Sequence, residues 1–253
     1  MNIINDIKAI GFDLFNTLIM IEPQAVEEAL NRLTASLVQS GFTLDLENFK
    51  HAHRDAARRF LEQTRESGRE THNRFWISAA LETQGYTVPP DDTRIAEAVE
   101  AYFSPFLEFC QLIPGTREIL ETLKGKYRLA LLSNFTHPPA AIELLNGVGI
   151  TSFFDVLLIS GDLGYRKPHP LVFERLTEDL GLEKREILFV GDDPELDVDG
   201  AHRAGLQPIW MTYVMDQNIP SAKSVLSGGM ERPNFESPRI SRWEELLSLL
   251  DNK

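Results

Sequence analysis

The chain has 253 residues, 43% of them hydrophobic, and a formal net charge of −13 at neutral pH. A chain of this size and composition can bury a substantial core. Its negative charge repels nucleic-acid phosphates and anionic membrane surfaces, so we predict a globular protein with no nucleic-acid or membrane partner.

The N-terminal segment MNIINDIKAI lacks the basic region and the long apolar stretch of a signal peptide. No apolar run reaches the roughly 18 residues that a membrane-spanning helix needs. We therefore predict a cytoplasmic protein, either a monomer or a homodimer. The single cysteine, Cys110, excludes an internal disulfide, and its apolar neighbours indicate a buried structural thiol.

Residues 7–15, IKAIGFDLF, form a short apolar run that is typical of a strand buried on both faces, with Asp13 near its end. From residue 22 to about 107 the pattern changes to apolar residues three and four positions apart, as in PQAVEEALNRLTASLVQSG. That spacing predicts helices. Residues 22–107 are therefore predicted to form a helical cap domain inserted after the first strand.

Beyond residue 108, apolar runs alternate with helical segments through LALLSNF, FDVLLIS, EILFVGDD and QPIWMTY. This alternation predicts an α/β fold with a Rossmann-like parallel sheet and helices on both of its faces. Residues 1–21 and 108–253 would form this core domain. Residues 216–240, rich in proline and glycine, are predicted to be an irregular connection before a last helix.

Polar residues stand where four of the apolar runs end, and in a parallel sheet these ends share one ligand-binding edge. Carboxylates there suit Mg²⁺, whereas a lysine and a hydroxyl suit an anionic group. The sequence thus predicts a combined site for a cation and a small anionic substrate. The residues are Asp13, Ser133 with Asn134, Lys167, and Asp192 with Asp193.

This set, in this order and with the insertion in this place, resembles the haloacid dehalogenase superfamily. The first motif of the family, DxDxT, is represented by Asp13, Phe15 and Thr17. The fourth motif, GDxxxxD, contains Asp192 and Asp197. Ser133 matches the second motif and Lys167 the third. The resemblance extends over the whole predicted core, and the four motifs are specific only as a set.

The resemblance implies a role for each matching residue. Asp13 would be the nucleophile, and Lys167 would screen the repulsion between it and an anionic substrate. Thr17, Ser133 and the backbone N–H of Asn134 would bind the transferred phosphoryl group. Mg²⁺ would be held by Asp13, Asp192, Asp197 and the backbone carbonyl of Phe15.

Phe15 departs from the family pattern, in which phosphatases carry a second aspartate that protonates the leaving oxygen and then activates water. Loss of a general acid/base typically lowers a rate by about 10²–10⁴. Turnover is then slow, or another group supplies the proton, or the leaving group needs none. His169 is the one substitute that the sequence offers, since histidine titrates near neutral pH.

Three functions remain open at this point. Phosphoryl transfer from a small phosphate ester is favoured, ahead of a non-catalytic or vestigial binding protein on the same fold. A 2-haloacid dehalogenase is the third, because that branch has an aromatic residue at the position of Phe15 and a halide leaves without a proton. The acidic segment GDDPELD argues against it, since metal-independent dehalogenases lack this cluster.

Local patterns give further predictions. Asp193 followed by Pro194 is a typical helix N-cap arrangement, and Asn16 can adopt a left-handed backbone in the loop after Asp13.

His51 and His53 are two residues apart on a helix, so they do not share a face for a metal. Four arginines recur near helical spacing among glutamates, which favours a solvated surface with ion pairs over a cationic lid. The arginines are 54, 58, 65 and 69, and the glutamates are 62, 66 and 70.

Overall fold

The computed structural model describes residues 6–220 and 230–251. Within these ranges the strands are β1 (Ala9–Phe12), β2 (Ile19–Ile21), β3 (Cys110–Leu112), β4 (Arg128–Ser133), β5 (Val156–Ile159), β6 (Ile187–Gly191), β7 (Gln207–Met211) and β8 (Arg239–Ile240). The helices are α1 (Gln24–Gln39), α2 (Leu46–Gln63), α3 (Asn73–Glu82), α4 (Thr93–Phe103), α5 (Thr116–Leu123), α6 (Pro138–Gly147), α7 (Ser160–Leu163), α8 (Pro170–Leu180), α9 (Gly200–Ala204), α10 (Tyr213–Asp216) and α11 (Trp243–Asp251). Residues 221–229 of the predicted irregular connection lie outside the described ranges.

Six strands form one sheet in the order β5-β4-β1-β6-β7-β8, and every neighbouring pair in it is parallel. The connections between them contain helices. This architecture confirms the predicted α/β fold with a Rossmann-like parallel sheet and helices on both faces.

Alternate side chains of the central strands face opposite sides of the sheet, because successive residues of a strand point to opposite faces. Ile10 and Phe12 of β1 belong to one buried cluster, with residues of α5, α6 and α11. Ala9 of β1 and Phe189 of β6 belong to another, with residues of α8 and α9. Both faces are therefore covered, which explains why the strands are continuously apolar in sequence.

Helices α1 to α4 lie between β2 and β3, inside the range 22–107 predicted for the cap, and we call this part the helical insertion. Strands β2 and β3 pair antiparallel, Ile19 opposite Leu112 and Ile21 opposite Cys110, so the two chain crossings between insertion and core lie side by side. Burial raises the pKa of the half-buried Cys110 thiol to about 12. A thiol that stays protonated at neutral pH is a poor nucleophile, which supports the predicted structural role, although Cys110 is half-buried and not fully buried as predicted.

No helix within residues 6–220 and 230–251 combines the length and the apolar character that crossing a membrane requires.

His53 lies in the core of the helical insertion, whereas His51 is exposed. The Nε2 atom of His53 is 3.0 Å from Oδ1 of Asn73, and its ring packs among Phe49, Trp76 and Tyr102. Burial lowers the pKa of His53 from the ordinary 6.5 to about 4, despite the contact with Asn73. His53 is thus neutral in the folded protein at neutral pH.

This buried imidazole makes the stability of the protein depend on pH. Between pH 6.5 and 4 the unfolded chain binds a proton at His53 that the folded chain does not, so stability falls as the pH falls. We expect the unfolding free energy of the wild type, taken relative to that of His53→Gln, to fall by about 2 kcal/mol from pH 7 to pH 5. Urea unfolding of both proteins at the two pH values measures it. A difference that does not change with pH would contradict the assignment.

Candidate active site

The predicted site residues lie at one edge of the sheet, because the strands that carry them are neighbours. Strand β1 lies between β4 and β6. Ser133 ends β4, Asp13 follows β1, and Asp192 follows β6. The backbone N–H of Asp13 donates to the carbonyl of Val190 at 2.9 Å, which extends the ladder between β1 and β6 up to the site. Strand order alone thus brings together Asp13 and Asp192, which are 179 positions apart in the chain.

Lys167 forms two short ion pairs at the centre of the site. Its Nζ lies 2.5 Å from Oδ1 of Asp13 and 2.6 Å from Oδ1 of Asp197, and all three residues are buried. Burial by itself lowers the pKa of Lys167, but the two carboxylates outweigh it and raise the pKa above its ordinary value. The ammonium is therefore a fixed positive charge beside Asp13.

Asp13, Asp192 and Asp197 form an acidic cluster that could hold a metal ion, with one carboxylate oxygen from each lying within 4.8 Å of the other two. Burial, together with repulsion from Asp13 and Asp197, raises the pKa of Asp192 well above its ordinary value. A bound divalent cation would relieve this repulsion, and three carboxylate oxygens match the hard oxygen ligands that Mg²⁺ prefers. The residues therefore fit the predicted cation.

The turn after β6 brings Asp197 back over the strand end. Asp193 caps a short π-helical turn, Pro194–Asp199, by accepting the N–H groups of Glu195 and Leu196, which confirms the predicted N-cap. The N–H of Asp193 donates to Oδ2 of Asp197 at 2.9 Å. A Cβ on Gly191 would meet the Asp197 side chain at 2.4 Å. Glycine at position 191 is thus what allows Asp197 to reach the site.

Two hydroxyls and one amide complete the predicted set. Thr17 and Ser133 are both fully buried, and neither hydroxyl oxygen has a hydrogen-bond partner in residues 6–220 and 230–251. Buried hydroxyls in native proteins normally have partners, so both are available to a ligand. The side chain of Asn134 forms hydrogen bonds with the backbone of Lys167, accepting its N–H at 2.8 Å and donating to its carbonyl at 3.0 Å. The predicted contact of Asn134 with a ligand concerns its backbone N–H and is separate from these bonds.

Phe15 belongs to an aromatic cluster between the core and the helical insertion. Its ring stacks on Phe135 with centroids 5.2 Å apart, and Phe135 packs on Phe103 of α4 at 5.0 Å. Asn16 has a φ of 55°, which confirms its predicted left-handed conformation. The loop after Asp13 therefore has the predicted tight turn, with an apolar ring at the position of the second acid.

His169, the predicted substitute acid/base, caps a helix. Its Nδ1 accepts the N–H of Leu171 at 3.3 Å, and its ring stacks on Tyr165 at 4.5 Å. These contacts account for the ring without a catalytic role.

The arginine-rich segment of the insertion is only partly the solvated surface that the sequence predicts. Arg58 forms an exposed ion pair with Asp55 at 3.2 Å, but Arg65 reaches Glu195 of the core at 3.5 Å. The prediction is wrong for Glu70, whose side chain is fully buried and pairs with Arg166 of the core. The sequence did not predict this buried contact between Glu70 and Arg166. The one signal it offered was that Arg166 directly precedes Lys167.

The fold and the site together place the chain among α/β enzymes that carry an acidic site at the carboxyl edge of a parallel sheet. The family model of the haloacid dehalogenase-like hydrolases matches residues 7–205, so the chain belongs to that family and is a hydrolase. The predicted resemblance is thereby confirmed.

Individual relatives agree with this assignment. The chain is 31% identical to the ribulose-1,5-bisphosphate 5-phosphatase of Halopiger xanaduensis over 79% of this chain and 83% of that protein. It is 27% identical to the glyceraldehyde 3-phosphate phosphatase of Pyrococcus abyssi over 82% of each protein. The 2-haloacid dehalogenase of Pseudomonas syringae pv. tomato shares the fold with a TM-score of 0.70 and 22% identity, over 96% of this chain and 98% of that one.

Proposed function

We propose that this hydrolase is a Mg²⁺-dependent phosphatase that acts on a small phosphate ester through a covalent intermediate on Asp13. The observation that carries the proposal is the Asp13–Lys167 pair at 2.5 Å within the acidic cluster. Two buried hydroxyls at the ends of neighbouring chain segments, those of Thr17 and Ser133, have no hydrogen-bond partner among the described residues. An attacking oxygen, positive charge and hydrogen-bond donors for an anion thus meet in one place. The relatives named above, two phosphatases of small phosphorylated compounds, support this substrate class.

In the first step an oxygen of Asp13 forms a bond to phosphorus as the bond from phosphorus to the ester oxygen breaks. The hydroxyls of Thr17 and Ser133 and the backbone N–H of Asn134 donate to the phosphoryl oxygens. The Lys167 ammonium offsets the charge that accumulates between Asp13 and the phosphoryl group. In the second step water attacks phosphorus, the bond between phosphorus and Asp13 breaks, and phosphate leaves.

Asp13, Asp192, Asp197 and the carbonyl of Phe15 are the proposed holders of Mg²⁺. When bound, the ion supplies positive charge that polarises the phosphoryl group and relieves the repulsion among the carboxylates. This cluster supports a requirement for Mg²⁺, because three carboxylate oxygens lie within 4.8 Å of one another. The positive charge of Lys167 offsets only part of their negative charge.

Phe15 leaves both proton transfers without the usual partner. An alkoxide leaving group needs a proton in the first step, and the attacking water must lose one in the second. The phenyl ring can supply neither. We therefore expect low turnover overall, faster for substrates whose leaving group is already stable as an anion.

The helical insertion, residues 22–107, is proposed to be a cap that closes over the site and excludes water. The aromatic cluster supports this placement, because Phe103 of the insertion packs on Phe135, two residues after Ser133. The predicted core, residues 1–21 and 108–253, would hold the reacting groups, and the insertion would select the substrate.

The proposal predicts metal-dependent hydrolysis of an aryl phosphate. With p-nitrophenyl phosphate, whose leaving group needs little protonation, we expect release of nitrophenolate with Mg²⁺ present. A chelator should lower the rate by at least about 10²-fold, in line with the stabilisation that such an ion provides. Added Mg²⁺ should restore it. Absence of turnover with and without Mg²⁺, across several phosphate esters, would reject the proposal.

Dehalogenation is the second candidate, and Phe15 is the observation that favours it. Asp13 would then attack carbon and displace a halide, which leaves without a proton. This reaction predicts halide release from a 2-halo acid that a chelator does not affect. Halide below detection in that assay would remove this candidate.

A further inference from the structure

A short segment of the helical insertion pairs with the core directly before Lys167. The N–H of Glu70 donates to the carbonyl of Gly164 at 3.0 Å, and the N–H of Arg166 donates to the carbonyl of Gly68 at 2.9 Å. Arg69 and Tyr165 form an antiparallel bridge between these bonds. We call residues 68–70 together with residues 164–166 the clasp.

A buried ion pair lies at the centre of the clasp. The Glu70 side chain is fully buried, accepts the Ser160 hydroxyl and the N–H of Thr71, and lies 3.8 Å from Arg166. Arg166 also donates to the carbonyls of Arg69 and Leu61. Each charged group thus has partners from the other side of the junction, and removing one would leave the other buried and uncompensated.

The clasp also fits closely at its edge. Gly68 has a φ of +61°, and a Cβ at this position would meet the His169 side chain at 2.7 Å. The His169 ring in turn stacks on Tyr165. The insertion therefore contacts the chain both before Lys167, at residues 164–166, and after it, at His169.

The backbone on either side of Lys167 is fixed by hydrogen bonds, to Asn134 in the core and to the insertion through Arg166. Asn134 bonds its N–H and its carbonyl on one side, and Arg166 of the clasp precedes it on the other. Its side chain is 2% exposed. The backbone of residues 164–167, which residues 68–70 of the insertion contact through two hydrogen bonds, therefore helps to set the direction in which Nζ points towards Asp13 and Asp197.

We propose that the clasp positions Lys167, with Glu70 and Arg166 as positioning residues, so that docking of residues 68–70 on the core and placement of the ammonium beside Asp13 are one event. Opening the insertion would then free Lys167 from Asp13 and Asp197. The effect on turnover rests on the proposed function, whereas the placement of Lys167 does not.

The test measures how well Lys167 is protected from an amine reagent, which needs no substrate. The folded protein is treated briefly with acetic anhydride, and acetylation at Lys167 is read by mass spectrometry relative to the exposed Lys126. Glu70→Ala should raise the relative acetylation of Lys167 at least about tenfold, because it favours local opening. Glu70→Gln, which keeps a hydrogen-bond acceptor for Ser160 and loses the charge, should give a smaller rise.

Two control variants separate the clasp from general effects. Arg65→Gln removes another ion pair between insertion and core, one whose arginine is largely exposed, and should leave Lys167 protected. Leu30→Ala destabilises the protein by removing a buried apolar side chain of α1, outside the clasp. The proposal would be overturned if acetylation of Lys167 in Glu70→Ala stayed within twofold of the wild type. It would also be overturned if Leu30→Ala, compared where its unfolding free energy equals that of Glu70→Ala, raised the acetylation of Lys167 by the same factor.

Activity provides a second readout. Where aryl phosphate is hydrolysed, kcat in Glu70→Ala should fall by about 10–100-fold, since misplacing a reacting group by 1 Å can cost that much. Arg65→Gln should stay within about twofold of the wild type. If the wild type hydrolyses nothing, the proposed function fails and the acetylation result still decides the proposal for the clasp.

Discussion

Asp13→Asn is expected to lower kcat for aryl phosphate hydrolysis by at least about 10⁴-fold, since the loss of a covalent nucleophile removes most of the catalysed pathway. The amide has nearly the same shape as the carboxylate but a far weaker nucleophilic oxygen. It also removes one of the two charges that Lys167 contacts within 2.6 Å. Initial rates of the purified variant with saturating Mg²⁺ measure the effect.

Asp162→Asn is the matched control, because Asp162 is an exposed carboxylate on α7. It should retain the wild-type rate within about twofold, as surface substitutions usually do. Activity of Asp13→Asn within tenfold of the wild type, in a preparation free of deamidated protein, would show that another group attacks the substrate.

Phe15→Asp is expected to raise phosphatase activity by about 10²–10⁴-fold for alkyl phosphates, the usual contribution of a general acid/base. Phe15 follows Asp13 by two positions, in a loop whose tight turn at Asn16 is intact. An aspartate there could protonate the leaving oxygen and then accept a proton from water. The gain should be smaller for aryl phosphates, because their leaving groups need less protonation.

Phe15→Asn separates proton transfer from the loss of the ring. Both substitutions remove the stacking on Phe135 and should lower the unfolding free energy by about 2–4 kcal/mol. Activities are therefore compared at a temperature where urea unfolding shows both variants to be folded. A folded Phe15→Asp that is no faster than Phe15→Asn would mean that the missing acid does not limit turnover.

The sheet and most of its site could be predicted because they depend on local patterns. Apolar runs such as IKAIGF and EILFVG indicate buried strands, and the ends of parallel strands meet at one edge whatever the distance along the chain. This placed Asp13, Ser133 and Asp192 together, as the structure does. The N-cap at Asp193 and the left-handed Asn16 follow from the preferences of those residue types.

The clasp could not be predicted, because its partners are defined only by tertiary packing. Glu70 stands among alternating charges that resemble a solvated helix face, yet α2 ends at Gln63 and residue 70 lies in the loop beyond it. The short pairing β2 with β3 was also missed, since three-residue strands carry too little periodicity. The environment of Phe15 depends on Phe135, which lies 120 positions away in the chain.

Mass spectrometry of the quenched protein tests most directly whether Asp13 is the nucleophile. The wild type is mixed with aryl phosphate and Mg²⁺, stopped in acid within one turnover, and digested. We expect a phosphoryl group on the peptide that contains Asp13, and we expect it to accumulate, because Phe15 provides no base for its hydrolysis. The adduct should be absent with a chelator and in Asp13→Asn. Phosphate release without any adduct on Asp13 would contradict the mechanism.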